Sequence, residues 1–377
     1  MARDPTNPLL LTPGPVSVSA TTKAVMMVDR PSGDVELLDD IAFARSYLVA
    51  LIHGQDQYTA IPVPGSATYA NEAAITTLVP PGGKVLIHSN GVYGDRLIEI
   101  ASHLQVPHAV IRTAPFTPAT PEPFADALMT DPAITHVMVV HCETSTGILN
   151  PLEPIAELCC RAGKGFLIDA VASFGAIGID ARTLHFDAVM LSSNKCMQGV
   201  PGVGWAVVRI GALGAAKGNS RSLTLDLWEQ DQYLERTGLF RYTPPTQVVA
   251  AFAQACREHE AEGGAPGRLA RYQRNWRRLI DGMRQMGFTT VVPDAFASPI
   301  VATFHNPDHK AFSFQALFEG MKRRGFIIFP GRLALENTFR IGCMGAVTEA
   351  DIADAMEAVA ETMQDMGVTK LGRPAAP

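Results

Sequence analysis

The sequence predicts an α/β protein, with a mostly parallel sheet in a large domain followed by a smaller α+β domain. Two observations carry this. Short, near-continuous apolar runs alternate with amphipathic stretches through about the first 210 residues, and such runs suit strands buried on both faces of a sheet. After about Ala250 that regularity stops, and strands and helices mix. The length of 377 residues, with 47% hydrophobic and 18% charged positions, suits two packed cores rather than one small one or a disordered chain.

In chain order, the predicted strands are Val85–His88, His108–Arg112, His136–His141, Gly165–Asp169 and Ala188–Leu191. Between them, Gly94–His103 and Leu152–Ala162 read as helices; Pro151, Glu153 and Pro154 mark the start of the second. In an open sheet of this kind, ligands gather at the carboxyl ends of the strands. The smaller domain is read as a long charged helix over Gly267–Met286, then Phe288–Val292, Pro299–Phe304, a helix over Ser313–Arg324, Phe326–Phe329, Phe339–Gly342 and a last helix over Thr348–Met366. The expected division is an N-terminal arm over 1–20, a large domain over 21–255 and a small domain over 256–377.

A formal net charge of −6 argues against a nucleic-acid partner. Met1–Pro8 lacks the basic start and apolar stretch of a secretion signal, and no run of about 18 apolar residues is present, so neither export nor a membrane span is expected. The six cysteines form no Cys-x-x-Cys pair and no metal-ligand spacing with histidine. They read as reduced, mostly buried thiols of a cytoplasmic protein, with no metal site.

The chemistry concentrates at three places. Lys195 stands just past an apolar strand and before the turn Gly199-Val200-Pro201-Gly202, a rigid and desolvated setting that suits a lysine of lowered pKa. Asp169 ends the strand Gly165–Asp169. Alone it reads first as a helix N-cap and only second as a carboxylate pairing with a cofactor's ring nitrogen, and Lys195, 26 positions later, shifts the reading to the pairing. The turn Gly65-Ser66-Ala67-Thr68, opening an apolar helix, offers N–H groups and hydroxyls that serve either a phosphate or plain capping.

Together with Leu10–Pro15, Ser89–Gly94, His141–Gly147, Asn194–Gly202, Ser220–Leu223 and Phe339–Gly342, these segments resemble the class V aminotransferases of pyridoxal phosphate (PLP) fold type I over nearly the whole chain. The run Lys195-Cys196-Met197-Gln198-Gly199-Val200-Pro201-Gly202 is the most specific part of the likeness. The resemblance implies pyridoxal 5′-phosphate as cofactor, 2-aminoethylphosphonate as amino donor and pyruvate as acceptor. Alanine or serine:glyoxylate transamination is the alternative.

It further implies that Lys195 links to the cofactor and moves the substrate proton, and that Asp169 pairs with the ring nitrogen. Ser66, Ala67 and Thr68 would hold the phosphate, Tyr93 would stack on the ring, and Thr144 would contact the ring oxygen. Arg340 would take the substrate's anionic group, and Gly14 would shape the substrate mouth. Thr243 would reach the cofactor phosphate of a partner subunit, which requires a homodimer with shared active sites. The chain departs from the family pattern at Ala67, at Arg332 and at Arg30.

Overall fold

A computed structural model describes residues 4–330, 337–368 and 371. Arg332, one of the departures, lies outside them, as does most of the tail after Val368.

The larger core surrounds a seven-stranded sheet. Its strands are β1 (Tyr58–Pro64), β2 (Lys84–Ser89), β3 (His108–Arg112), β4 (Ile134–Val140), β5 (Gly165–Asp169), β6 (Ala188–Ser192) and β7 (Val203–Arg209). They lie in the order β1-β7-β6-β5-β4-β2-β3. All five strands expected from the apolar runs are present, and they pair in parallel. The aliphatic stretches Val137–Val140 and Val189–Leu191 are buried, as strands covered by helices on both faces require.

The other two strands have no counterpart among the expected ones, and both are antiparallel. β7 pairs with β6 and β1. β1 carries Pro62 and Pro64, and it is an edge strand, where a missing N–H is tolerated. The β6–β7 antiparallel step needs no crossover helix. The chain between them, Ser193–Gly202, therefore stays at the carboxyl edge of the sheet, and this is the turn that holds Lys195.

The second core collects Leu279, Ile280, Phe304, Phe339, Ile341 and Val359 around a three-stranded antiparallel sheet. Its strands are β8 (Val301–His305), β9 (Phe329–Pro330) and β10 (Thr338–Gly342), ordered β8-β10-β9. The expected strand at Phe288–Val292 is reduced to an isolated bridge between Thr290 and Phe304. The helices form at Gly264–Gln285, Phe314–Arg323 and Glu349–Asp365, the last opened by a Thr348/Asp351 capping box.

The start of the chain joins this second core: Leu9–Leu10 pairs in parallel with Phe326–Ile327, and Leu11 is fully buried there. The helix Thr246–Ala261 runs past residue 256, with Phe252 and Cys256 in the larger core. A third small cluster, including Val16, Cys142, Cys196, Tyr272 and Ile300, knits the two bodies around the lysine turn. Five cysteines are buried and Cys160 is exposed; all six are free thiols. Among the described residues no helix is long and apolar enough to cross a membrane, and no cluster of His, Cys, Asp or Glu could hold a metal ion.

Candidate active site

The lysine turn is fixed from below. Gln198 holds a left-handed backbone (φ 58°), and its amide donates to Tyr272 Oη and to Gly345 O, both at 2.6 Å. Arg268, 1% exposed, donates to the Cys196 carbonyl and pairs with Glu262 at 2.6 Å. Burying a guanidinium is costly unless it is paired and hydrogen-bonded, as here. Above the turn, Lys195 Nζ donates to Pro13 O at 2.7 Å.

Gly14 follows, with φ +116°, and leaves the lysine chain its space. A Cβ on Gly14 would stand 2.7 Å from Lys195 Cε and 2.5 Å from Cδ. The 11–15 segment is held against β10, where Gly342 N–H donates to Leu11 O at 2.9 Å and Gly342 leaves room for the Thr12 carbonyl. Burial brings the lysine's pKa from 10.5 down to about 8; Cys196 and Asp169 act upward, Arg340 and Arg96 downward. Roughly a tenth of the amine is then neutral at pH 7, against well under a thousandth at the ordinary value, and the neutral form is what a nucleophile or general base needs.

Asp169 ends β5 and is buried. One carboxylate oxygen accepts from Val171 N–H at 3.0 Å, the other from Asn71 Nδ2 at 2.7 Å. Burial raises its pKa, and those two hydrogen bonds oppose the rise. No helix begins at Asp169; the Val171 contact closes a short turn, so the N-cap alternative does not hold. Asn71 was not singled out in the sequence. It lies three residues after Thr68 on the helix Ala67–Leu78, so the helical repeat puts both on neighbouring faces.

That helix starts at the carboxyl edge with Ser66 as N-cap, and the Ser66 side chain makes no capping hydrogen bond. Its hydroxyl and the first N–H groups are left to another acceptor. Gly204 on β7 lets the helix start approach the sheet: a Cβ there would lie 2.9 Å from Ala67 Cα. Ser66 is exposed, Thr68 is half-buried and Ala67 is buried. Arg96 Nη1 lies 3.4 Å from Thr68 Oγ1, and the Arg96 guanidinium sits 5.0 Å from the centre of the Tyr93 ring.

Tyr93 opens the helix Val92–His103, whose first N–H groups meet a buried carboxylate. Glu143 Oε2 accepts from Tyr93 N–H at 3.0 Å and from Gly94 N–H at 3.2 Å, and Oε1 accepts from Ser145. Burial lifts its pKa to about 7 against those hydrogen bonds. Glu143 lies inside the segment His141–Gly147 but was given no role in the sequence reading, and Arg96 was not singled out there. Arg96 falls one helical turn after Tyr93, the spacing that could have found it.

Next to Glu143, Thr144 is buried, and its carbonyl accepts from Arg340 Nη1 at 2.7 Å. Arg340, in the middle of β10, also donates to Pro330 O at 3.2 Å and lies 4.9 Å from the Phe329 ring centre. It is 4% exposed, has no carboxylate partner among the described residues, and its Nε–H is unsatisfied. Burial lowers its pKa. A buried guanidinium with an unsatisfied N–H has a donor to offer an acceptor entering the site.

Thr243 is exposed, ahead of the helix Thr246–Ala261, and makes no described hydrogen bond with this cluster. Arg30 pairs with Glu36 at 3.0 Å. The structure thus brings Lys195, Gly14, Asp169, Ser66, Ala67, Thr68, Tyr93, Thr144 and Arg340 to one edge of the sheet, and leaves Thr243 apart.

The sequence profile of the class-V aminotransferases matches residues 33–321. The chain belongs to the class-V aminotransferase family. Two relatives in this family are called 2-aminoethylphosphonate–pyruvate transaminases. That of Pseudomonas aeruginosa is 44% identical over 97% of this chain and 98% of its own. That of Pseudomonas entomophila is 45% identical over 96% and 98%. Among solved structures, an alanine–glyoxylate aminotransferase from Nostoc sp. superposes with a TM-score of 0.87, at 25% identity over 95% of each chain. As a class-V aminotransferase the protein has the fold type I architecture of its structural neighbours, with a mostly parallel central sheet.

Proposed function

We propose that this aminotransferase uses pyridoxal 5′-phosphate to move the amine of 2-aminoethylphosphonate to pyruvate, giving phosphonoacetaldehyde and L-alanine. The observation that carries the donor is Arg340, a buried guanidinium without a carboxylate partner among the described residues, at the edge that holds Lys195. Close relatives of nearly the same length bear that activity's name, which supports the reading.

The residues present fit the cofactor. The helix start at Ser66 has an unused hydroxyl and free N–H groups for a phosphate, and Asp169 is a buried carboxylate held in place by Asn71. When bound, the cofactor supplies a ring that withdraws electrons from the carbon bearing the amine. In this reading Ser66, Ala67 and Thr68 hold its phosphate, Asp169 keeps its ring nitrogen protonated, Tyr93 packs on the ring and Thr144 contacts the ring oxygen. Lys195 binds the cofactor covalently. Its neutral amine would be the group that takes the proton from the donor's amine-bearing carbon and gives one to the corresponding carbon derived from pyruvate. Arg340 orients the donor by its phosphonate, and Gly14 keeps the lysine path open beside the substrate mouth.

Thr243 is exposed on the single chain, which suits a role at a partner's cofactor phosphate in a homodimer. The unpaired thiols suit a reducing, cytoplasmic setting.

The test is an amino-donor panel with pyruvate, reading alanine formation, with Arg340→Lys beside the wild type. A phosphonate carries up to two charges and three acceptor oxygens, against one charge and two oxygens for the carboxylate of β-alanine. Discrimination of roughly 10²-fold in kcat/KM is expected. Arg340→Lys keeps the charge and loses the fork, so phosphonate turnover should fall sharply with cofactor still bound. A wild-type preference for β-alanine, or an Arg340→Lys protein with unchanged phosphonate turnover, rules out the phosphonate donor.

A further inference from the structure

We infer that Arg96 is the cationic ligand of the cofactor's phosphate, completing a cradle that is otherwise uncharged. The inference rests on the proposed use of pyridoxal 5′-phosphate. The cradle residues Ser66, Ala67 and Thr68 carry no charge, and a helix start offers only about half a positive charge to a phosphate that bears nearly two negative ones. A second source of positive charge is needed close by.

Arg96 meets that need on three independent observations. Its Nη1 reaches Thr68 Oγ1 at 3.4 Å, so the guanidinium stands at the helix start that opens the cradle. It is half-buried and has no carboxylate within ion-pairing distance among the described residues, so its charge is not spent on structure. Its charge also bears on both Asp169 and Lys195, in keeping with a position near them. The Tyr93 ring lies under the guanidinium at 5.0 Å, an arrangement that holds the plane and leaves its edge N–H groups for acceptors.

Arg340 is not a rival for this phosphate. Its guanidinium is held by the Thr144 and Pro330 carbonyls, and it makes no described contact with Ser66, Ala67 or Thr68. The helix Val92–His103 is in turn fixed by Glu143 at its first N–H groups, so Arg96, one turn further on, is presented from a rigid support. The two arginines then divide the two phosphoryl groups of the reaction: Arg96 takes the cofactor's and Arg340 the donor's.

Cofactor-stripped wild type, Arg96→Gln and Arg96→Lys are titrated with pyridoxal 5′-phosphate and with pyridoxal, which has the same aldehyde and no phosphate. Binding is read from the absorbance of the lysine-bound chromophore, and folding from circular dichroism and Tm. Arg96→Gln should weaken pyridoxal phosphate binding by about 10- to 100-fold and leave pyridoxal within about twofold, with Arg96→Lys in between. Unchanged pyridoxal phosphate affinity overturns the assignment. So does an equal loss for both ligands, which would mark a structural role. An Arg96→Lys protein with normal cofactor affinity but a raised KM for the phosphonate donor alone would move Arg96 to the substrate and also overturn it. A wild type that binds neither aldehyde at Lys195 would instead sink the cofactor reading on which this rests.

Discussion

Replacing Gly14 with alanine separates a strain effect from a catalytic one. The new Cβ would stand 2.5 Å from Lys195 Cδ and 2.7 Å from Cε. Carbon atoms pack at about 3.5 Å or more, so the lysine must withdraw by about 1 Å. Its hydrogen bond to Pro13 O at 2.7 Å cannot survive that shift unchanged. A side chain at φ +116° adds backbone strain of about 1–2 kcal/mol. Gly14→Ala should therefore lose about 1–2 kcal/mol of stability, seen as a modest fall in Tm. Turnover should fall much further, by about 10²-fold, because displacing a reacting group by about 1 Å has that cost.

The assay is kcat for alanine formation beside denaturant unfolding. Gly238→Ala is the control. Gly238 also has positive φ (72°), caps the helix Leu227–Thr237, and its nearest neighbour for a Cβ is Leu38 at 3.3 Å. The control should show the stability loss with near-normal turnover. Normal turnover in Gly14→Ala would refute the reasoning, as would an equal fall in turnover in both variants.

Three further outcomes are expected. The lysine's lowered pKa enlarges the neutral, nucleophilic share of its amine, so capture of pyridoxal 5′-phosphate by the stripped protein should rise with pH around a midpoint near 8; removing the downward push of Arg340 with Arg340→Gln should move that midpoint up, and a wild-type midpoint above 10 would contradict the burial argument. Asp169→Asn keeps an acceptor and loses the charge facing the ring nitrogen, so turnover should fall at least about 10²-fold in a protein of unchanged fold; near-normal kcat in a folded variant would remove Asp169 from this role. Mixing inactive Lys195→Ala protein with a severely impaired Thr243→Ala protein should restore part of the activity through hybrid dimers; no recovery, with subunit exchange shown by mass spectrometry, would count against a shared site.

Much of the site was legible because its residues sit at strand ends and turns. Asp169 and Lys195 each follow an apolar run, and the carboxyl edge of a parallel sheet is where such residues meet. Asn71, Arg96 and Glu143 were missed for a common reason. Each acts on a residue distant in the chain: Asn71 on Asp169, Arg96 on Thr68, and Glu143 on the N–H groups of Tyr93 and Gly94. Apart from the one-turn spacing of Arg96 from Tyr93, no local pattern marks these polar residues for such partners. The strand β1 was hidden by Pro62 and Pro64, whose missing N–H groups matter little at a sheet edge.

The sequence by itself determined the alternation that makes a parallel sheet, the lysine and aspartate at strand ends, and the family to which the chain belongs. Each of these is written in short-range order: apolar periodicity, a strand followed by a turn, a contiguous motif. Only the tertiary structure decided that Pro13 and Gly14, near the start of the chain, close over Lys195, and that the strand bearing Arg340 reaches Thr144. These contacts span 182 and 196 positions. They depend on the N-terminal arm being buried in the second core beside β10, and on a third cluster packing that body against the lysine turn. A side chain's partner at such a range is chosen by which surfaces bury together, and burial is a property of the folded whole.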